Sequence, residues 1–262
     1  MRSLLATAAL VGGLTAFTAP RTAPVTGHYR ISEVIDQVVD LSAVGGGEQT
    51  THLVTSTFVT LSTTDSAGGR AVRMVIDSAR GDTLPEGAGI DPARWDSLRG
   101  GFATAFLDAN GKLTAGPADS SMGGMQARAL LREFFPRMQA RARTGDHWTD
   151  TTEFAAEGSG APGSTRRVTN WAVTGEEARG GVRARKVEGA YSQSSSGQVE
   201  SPNGPMTVDG TGTGTLTYYV GPDGRHLGAA STLAMQLSIT MAQAPEPIPV
   251  RVSRSATITP LP

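Results

Sequence analysis

The chain has 262 residues, a formal net charge of −1 and no cysteine. The missing thiols exclude disulfides, thiolate metal sites and cysteine nucleophiles, so packing alone must stabilise it, and the length is ample for one domain. The balanced charge carries no footprint for nucleic acid or an anionic membrane surface, and aromatics at 5% are too few for the interfacial girdles of a transmembrane β-barrel.

Met1-Arg2, the apolar run Leu4 to Phe17 and the small residues around Ala16 to Ala23 follow the three-part order of a secretory signal. The run is about 14 residues, short of the ~20 that a spanning helix needs. Residues 1–24 are therefore expected to be a signal peptide. Residues 25–262 are expected to form a single exported β-rich domain, periplasmic or extracellular. No later segment is apolar enough to cross a bilayer.

Tyr29 to Leu41 fits two patterns. Ile31, Val34, Ile35, Val38 and Val39 suit a helical face, whereas Tyr29, Ile31, Ile35, Val39 and Leu41 suit a strand face. Its β-branched residues and the lack of an N-cap favour a strand. Gly45-Gly46-Gly47 then reverses the chain into Thr51–Thr63, and Ala67-Gly68-Gly69 into Ala71–Ser78, which predicts a three-strand meander.

A break over Gly81–Gly89 precedes Asp91-Pro92, an N-cap with proline at the first helical position, which opens a short helix through Arg99. Asn110-Gly111 predicts a hairpin between Gly101–Leu107 and Lys112–Thr114. The one substantial helix is expected from about Ser120 to Phe135. There Ala127, Leu130, Leu131, Phe134, Phe135 and Met138 recur at helical spacing, Arg128 and Arg132 face away, and Pro136 ends the pattern. Gly123-Gly124 weakens its first turn. Together these elements make a helical insert over about 91–138.

Strands are predicted at Trp148–Phe154, Arg166–Thr174, Val182–Tyr191, Met206–Val220, Ala229–Met241 and Val250–Ile258, with Gly158–Ser164 and Ser192–Pro205 as the loosest connections. The hairpin from Gly212 to Met241 is the clearest. Leu216, Tyr218 and Val220 alternate with polar residues up to a Gly221-Pro222-Asp223-Gly224 turn, and Leu233, Met235, Leu237, Ile239 and Met241 alternate on the way down. The order of strands, helices and more strands defines an α+β, mostly β class: a curled antiparallel sheet, half-barrel-like, with one or two helices packed on one face.

Few residues suggest chemistry. Gly210, Gly212 and Gly214 alternate with threonine and lead into a strand, not from a strand into a helix. They fit a close-packed or bent strand better than a dinucleotide fingerprint. There is no Gly-x-Ser-x-Gly elbow, and His28, His52, His147 and His226 are isolated in sequence. Glu176-Glu177 reads as part of a turn, and Arg183, Arg185 and Lys186 as a solvated strand face. No catalytic residue, metal site or cofactor is expected.

The apolar residues are more telling. A helix of about 16 residues is ~24 Å long, and nine or ten strands at ~4.8 Å spacing span over 40 Å. Such a sheet must curl, form two layers, dimerise or hold a ligand. The expected lining of a cavity is Trp148, Phe154, Trp171, Tyr218, Leu233, Met235, Leu237, Ile239, Leu130 and Phe134, with a lipid or another apolar small molecule as occupant. The function expected is that of an exported, non-enzymatic binding protein. The alternatives are a cell-envelope interaction or scaffold protein with a closed core and, last, a hydrolase with a dispersed site.

An export signal, a leading meander, a helix and a long meander resemble the half-barrel of the periplasmic lipoprotein-carrier group. Phe134-Phe135-Pro136 followed by Gly145-Asp146-His147-Trp148-Thr149 is similar to uncharacterised exported bacterial proteins, in which a helix, a proline and a Gly-Asp-x-Trp-Thr step precede the second set of strands. The likeness in element order spans most of residues 29–258, while its specific letters amount to that one short motif. The carrier resemblance implies a concave apolar cavity under a helical lid, lined by Trp148 and the Leu233–Met241 face. It transfers no catalytic role.

Overall fold

The structure is a computed structural model that describes residues 24–83, 93–135, 142–155, 163–201, 204–241, 244 and 246–262. The signal-peptide expectation for residues 1–23 lies outside them, as do those for Asp91-Pro92, Pro136 and Met138. The strands are β1 (Val25–Asp40), β2 (Glu48–Ser66), β3 (Gly69–Thr83), β4 (Phe102–Asp108), β5 (Leu113–Ala118), β6 (His147–Ala155), β7 (Gly163–Arg179), β8 (Val182–Ser201), β9 (Gly204–Val220), β10 (His226–Met241) and β11 (Ile248–Leu261). They form one eleven-stranded antiparallel sheet in the order β5-β4-β3-β2-β1-β11-β10-β9-β8-β7-β6. Helix α1 (Ala93–Asp96) follows β3, and α2 (Met122–Phe134) stands in sequence between the two edge strands, β5 and β6.

The ambiguous Tyr29–Leu41 segment is a strand. It is hydrogen-bonded on both sides, to β2 and to β11, and the inward residues Tyr29 and Ile31 are buried. Two expectations are corrected. Ser192–Ser201, read as a loose connection, continues β8 in register with β7 and β9, because backbone ladders on both sides stabilise a run poor in apolar side chains. Glu176-Glu177 lies within β7, not in a turn. Glu176 pairs with Arg183, Glu177 with Arg179 at 2.9 Å, and the reversal falls at Gly180-Gly181, where φ is 56° and 77°.

Ser121 caps α2, accepting from the Gly124 N–H at 3.0 Å. The glycines that seemed only to weaken this turn have a packing role. A Cβ on Gly123 would stand 2.5 Å from the Leu98 carbonyl oxygen and 3.0 Å from the Gly101 Cα. The helix start is seated backbone against backbone. Ala127, Leu130, Leu131 and Phe134 form its buried stripe against Tyr29, Val59, Met74, Tyr218 and Ile258 of the sheet.

The sheet wraps around α2 and stays open. Residues of β4–β5 and of β6–β7, at opposite ends of the strand order, line one cavity beside the helix. A flat sheet at ~4.8 Å per strand would hold them some 40–50 Å apart. At one end of the strands the Arg70 guanidinium of β3 donates to the Asp223 carbonyl in the β9–β10 turn at 2.6 Å, a second contact that only curvature permits.

Candidate functional site

The face of the sheet turned toward α2 divides into two parts. Next to the helix it is a closed aromatic core. Phe134 of α2 meets Tyr29 at 5.1 Å and His226 at 4.8 Å between ring centroids, and Tyr218 meets His226 at 6.1 Å. The Gly228 N–H donates to His226 Nδ1 at 3.2 Å, which places the ring proton on Nε2. That Nε2 is buried without a partner, and burial pushes the imidazole pKa down to about 3.

Beyond the helix the inner face continues as a trough. Its rows follow from the register. Gln37, Val252, Met235, Gly212, Gln193 and Arg167 lie side by side across six strands, and Val39, Val250, Leu237, Gly210, Ser195 and Thr165 form the next row. The β11 and β10 side of the trough is aliphatic and the β8 and β7 side is polar. Gly210, Gly212 and Gly214 mark the change. They leave room for the side chains of β8 to cross toward β10, and Gln193 Nε2 contacts Met235 Sδ at 3.5 Å over Gly212. Leu233, Met235, Leu237 and Ile239 are half-buried here.

The trough adjoins a cavity of about 690 Å³ between α2, the β4–β5 hairpin and β6–β7. Its apolar wall includes Leu131, Phe135, Phe154, Trp171, Leu216 and Tyr218, and its charged wall Lys112, Arg128, Arg132, Arg167, Glu133, Asp150 and Glu153. Volume and mixed lining are those of a small-ligand site. Three hollows of similar volume on the outer face of β7–β11 and β1 are shallower and more open to solvent, with serine and threonine interspersed among aliphatic and charged side chains.

Of the residues expected to line a cavity, Phe154, Trp171 and Tyr218 do so. Trp148 stacks on Trp171 at 6.2 Å and 20° between planes, beside that wall on the same face of the sheet. Leu130 and Phe134 are buried core (4% and 0% exposed) instead. Leu233, Met235, Leu237 and Ile239 lie in the trough. Arg128 and Arg132, expected to face away, line the cavity, where Lys112 and Arg167 join them. Arg167 shares the strand parity of Trp171 and was readable as inward.

Arg254 stands where core and trough meet. It pairs with Glu33 of β1 and, at 3.7 Å, with Glu133 of α2. Burial opposes its charge, but the two carboxylates prevail and hold its pKa above the ordinary value. On the outer face His52 Nδ1 bonds Asp36 at 2.6 Å, and Ser253 Oγ reaches the same carboxylate at 3.5 Å. This places the carboxylate between imidazole and hydroxyl, whereas an activated serine needs the imidazole in the middle. Among the described residues no group of three or more His, Asp or Glu is placed to hold a metal ion.

The Gly145-Asp146 step is a turn docked on β7. The Gly145 N–H donates to the Val173 carbonyl at 2.8 Å, and the Val173 N–H to the Asp146 carbonyl at 3.0 Å. Fold and site together define an open, curled antiparallel sheet with a helix and an adjoining cavity on its inner face. No family model and no curated protein matches the chain. Among solved structures it is similar to a loop L8 deletion mutant of OmpT, an outer membrane protein of Vibrio cholerae, at 8% identity and a TM-score of 0.17, over 92% of this chain and 100% of that one. A likeness at that TM-score carries no argument. Among the described residues no helix is long and apolar enough to cross a membrane, which says nothing of strands.

Proposed function

We propose that this is an exported, non-enzymatic protein, periplasmic or extracellular, that binds a lipid or another apolar ligand on the inner face of its sheet. One observation carries the reading: the aliphatic face of β10, β11 and β1 runs on past α2 as a half-buried trough that opens toward a cavity. The 13 residues of α2 make a helix of about 20 Å, which covers one end of strands that run to 20 residues. Methionine and branched side chains along β10 suit chains of varied shape.

Native mass spectrometry of protein purified without detergent tests this. The expected spectrum contains adducts of lipid mass, lost when Leu237 is replaced by Asp. A bare mass throughout, even after incubation with lipid extract, overturns the reading. A bare mass with a reproducible protein partner would move the assignment to an envelope interaction protein.

A further inference from the structure

The charged wall of the cavity is not balanced in its effects. Two of its three carboxylates have cationic partners outside the lining: Glu133 faces Arg254 at 3.7 Å and Glu153 faces Arg166 at 3.6 Å. On the basic side, Arg128 donates to a backbone carbonyl, that of Gly116, at 3.5 Å. Arg167 Nε donates to the neutral Gln193 Oε1 at 3.2 Å, and its guanidinium lies over the rings of Tyr191 and Phe154 at 4.5 and 5.5 Å. The rings and the amide hold this planar cation in one orientation, with the terminal nitrogens of its fork left for an acceptor.

Arg167 is also where the two parts of the site join. It lines the cavity, and it ends the trough row that runs through Val252 and Met235 to Gln193. Aliphatic surface therefore leads along the sheet to a fixed cation. We propose that the ligand is a single-chain anionic amphiphile of the fatty-acid class. Its head pairs with Arg167 in the cavity, and its chain lies over Met235 and Leu237 in the trough. Arg128 and Lys112 add positive charge around the head. This rests on the apolar-ligand reading above and names the head group that reading leaves open.

The test is calorimetric titration of the full chain at pH 8 with laurate and with 1-dodecanol, which has the same chain and no charge. Laurate is expected to bind at least about tenfold more tightly, as charge-assisted hydrogen bonds to a held guanidinium allow. Arg167→Gln is expected to abolish that preference, while Arg167→Lys keeps part of it. Should Arg167→Gln fail to fold, the two ligands on the wild-type chain still decide the matter. Equal affinities overturn the head-group assignment and leave the apolar reading standing. Binding of neither overturns both. Inorganic phosphate that binds as tightly as laurate overturns the amphiphile in favour of a free-anion site.

Discussion

Tyr191 of β8 lies over Gly214 of β9 and donates from its hydroxyl to the Thr232 carbonyl of β10 at 2.9 Å, spanning a whole strand. A Cβ on Gly214 would run into both the Thr232 oxygen and the tyrosine ring. Gly214→Ala is expected to destabilise the protein by ~1–3 kcal/mol, the usual cost of overpacking. Gly47→Ala, with no atom within 4 Å of its Cβ, should change stability by less than about 0.5 kcal/mol. Urea unfolding of the two variants checks the contrast.

The seat of α2 gives a second prediction, in which two effects oppose each other. Alanine at position 123 gains ~1 kcal/mol of helix propensity over glycine. It also forces a methyl toward the Leu98 carbonyl and the Gly101 backbone, neither of which can swing aside as a side chain would. The clash should win. Gly123→Ala is expected to lower the melting temperature, although a helix-propensity scale alone says the opposite.

These two sites show what the sequence made legible. Alternation placed the hairpin of β9 and β10 and put the aliphatic residues of β10 on one face, because period-two patterning is a local signal. By contrast, β-branched content decided β1, and the second half of β8, poor in apolar residues, gave no such pattern. Asn110-Gly111 and Gly221-Pro222-Asp223-Gly224 announced their turns. The role of Gly123 depends on Leu98 and Gly101, and that of Gly214 on Tyr191. No local pattern links those residues. The basic wall of the cavity was hidden for the same reason: Arg128, Arg167 and Lys112 converge only when the sheet curls.

His226 should make stability depend on acid. Its pKa is depressed to about 3 by burial, while in the unfolded chain it titrates near 6.5. The unfolded state therefore binds the extra proton between those values. The stabilising contribution is complete above pH 6.5 and is lost as pH falls toward 3. At pH 4.5 the loss amounts to roughly 3 kcal/mol. Comparison of urea midpoints at pH 7.5 and 4.5 should show a steeper decline for the wild type than for His226→Phe, in which this site no longer titrates.

Arg254 offers a sharper perturbation. Its side chain is 24% exposed and those of Glu33 and Glu133 are 18% and 24%, so Arg254→Met strands two carboxylates in a mostly dry site. Removal of one partner from a buried ion pair costs ~3–5 kcal/mol, and the partial exposure sets the expectation at the lower end. Adding Glu33→Gln to Arg254→Met should recover part of the loss in a double-mutant cycle.

The pairing of β1 with β11 at the centre of the sheet also governs how the molecule assembles. Arg254 and Glu33, on adjacent strands, are 221 residues apart in sequence. Five strands on one side and the later ones on the other can each zip up as local meanders, but each half then exposes an unpaired central edge until β11 meets β1. Contacts of such long range slow folding, and open edges invite pairing with other chains. Closure of the central seam is the expected rate-limiting step of folding. A chain truncated before Ile248 should aggregate rather than settle into a smaller stable sheet.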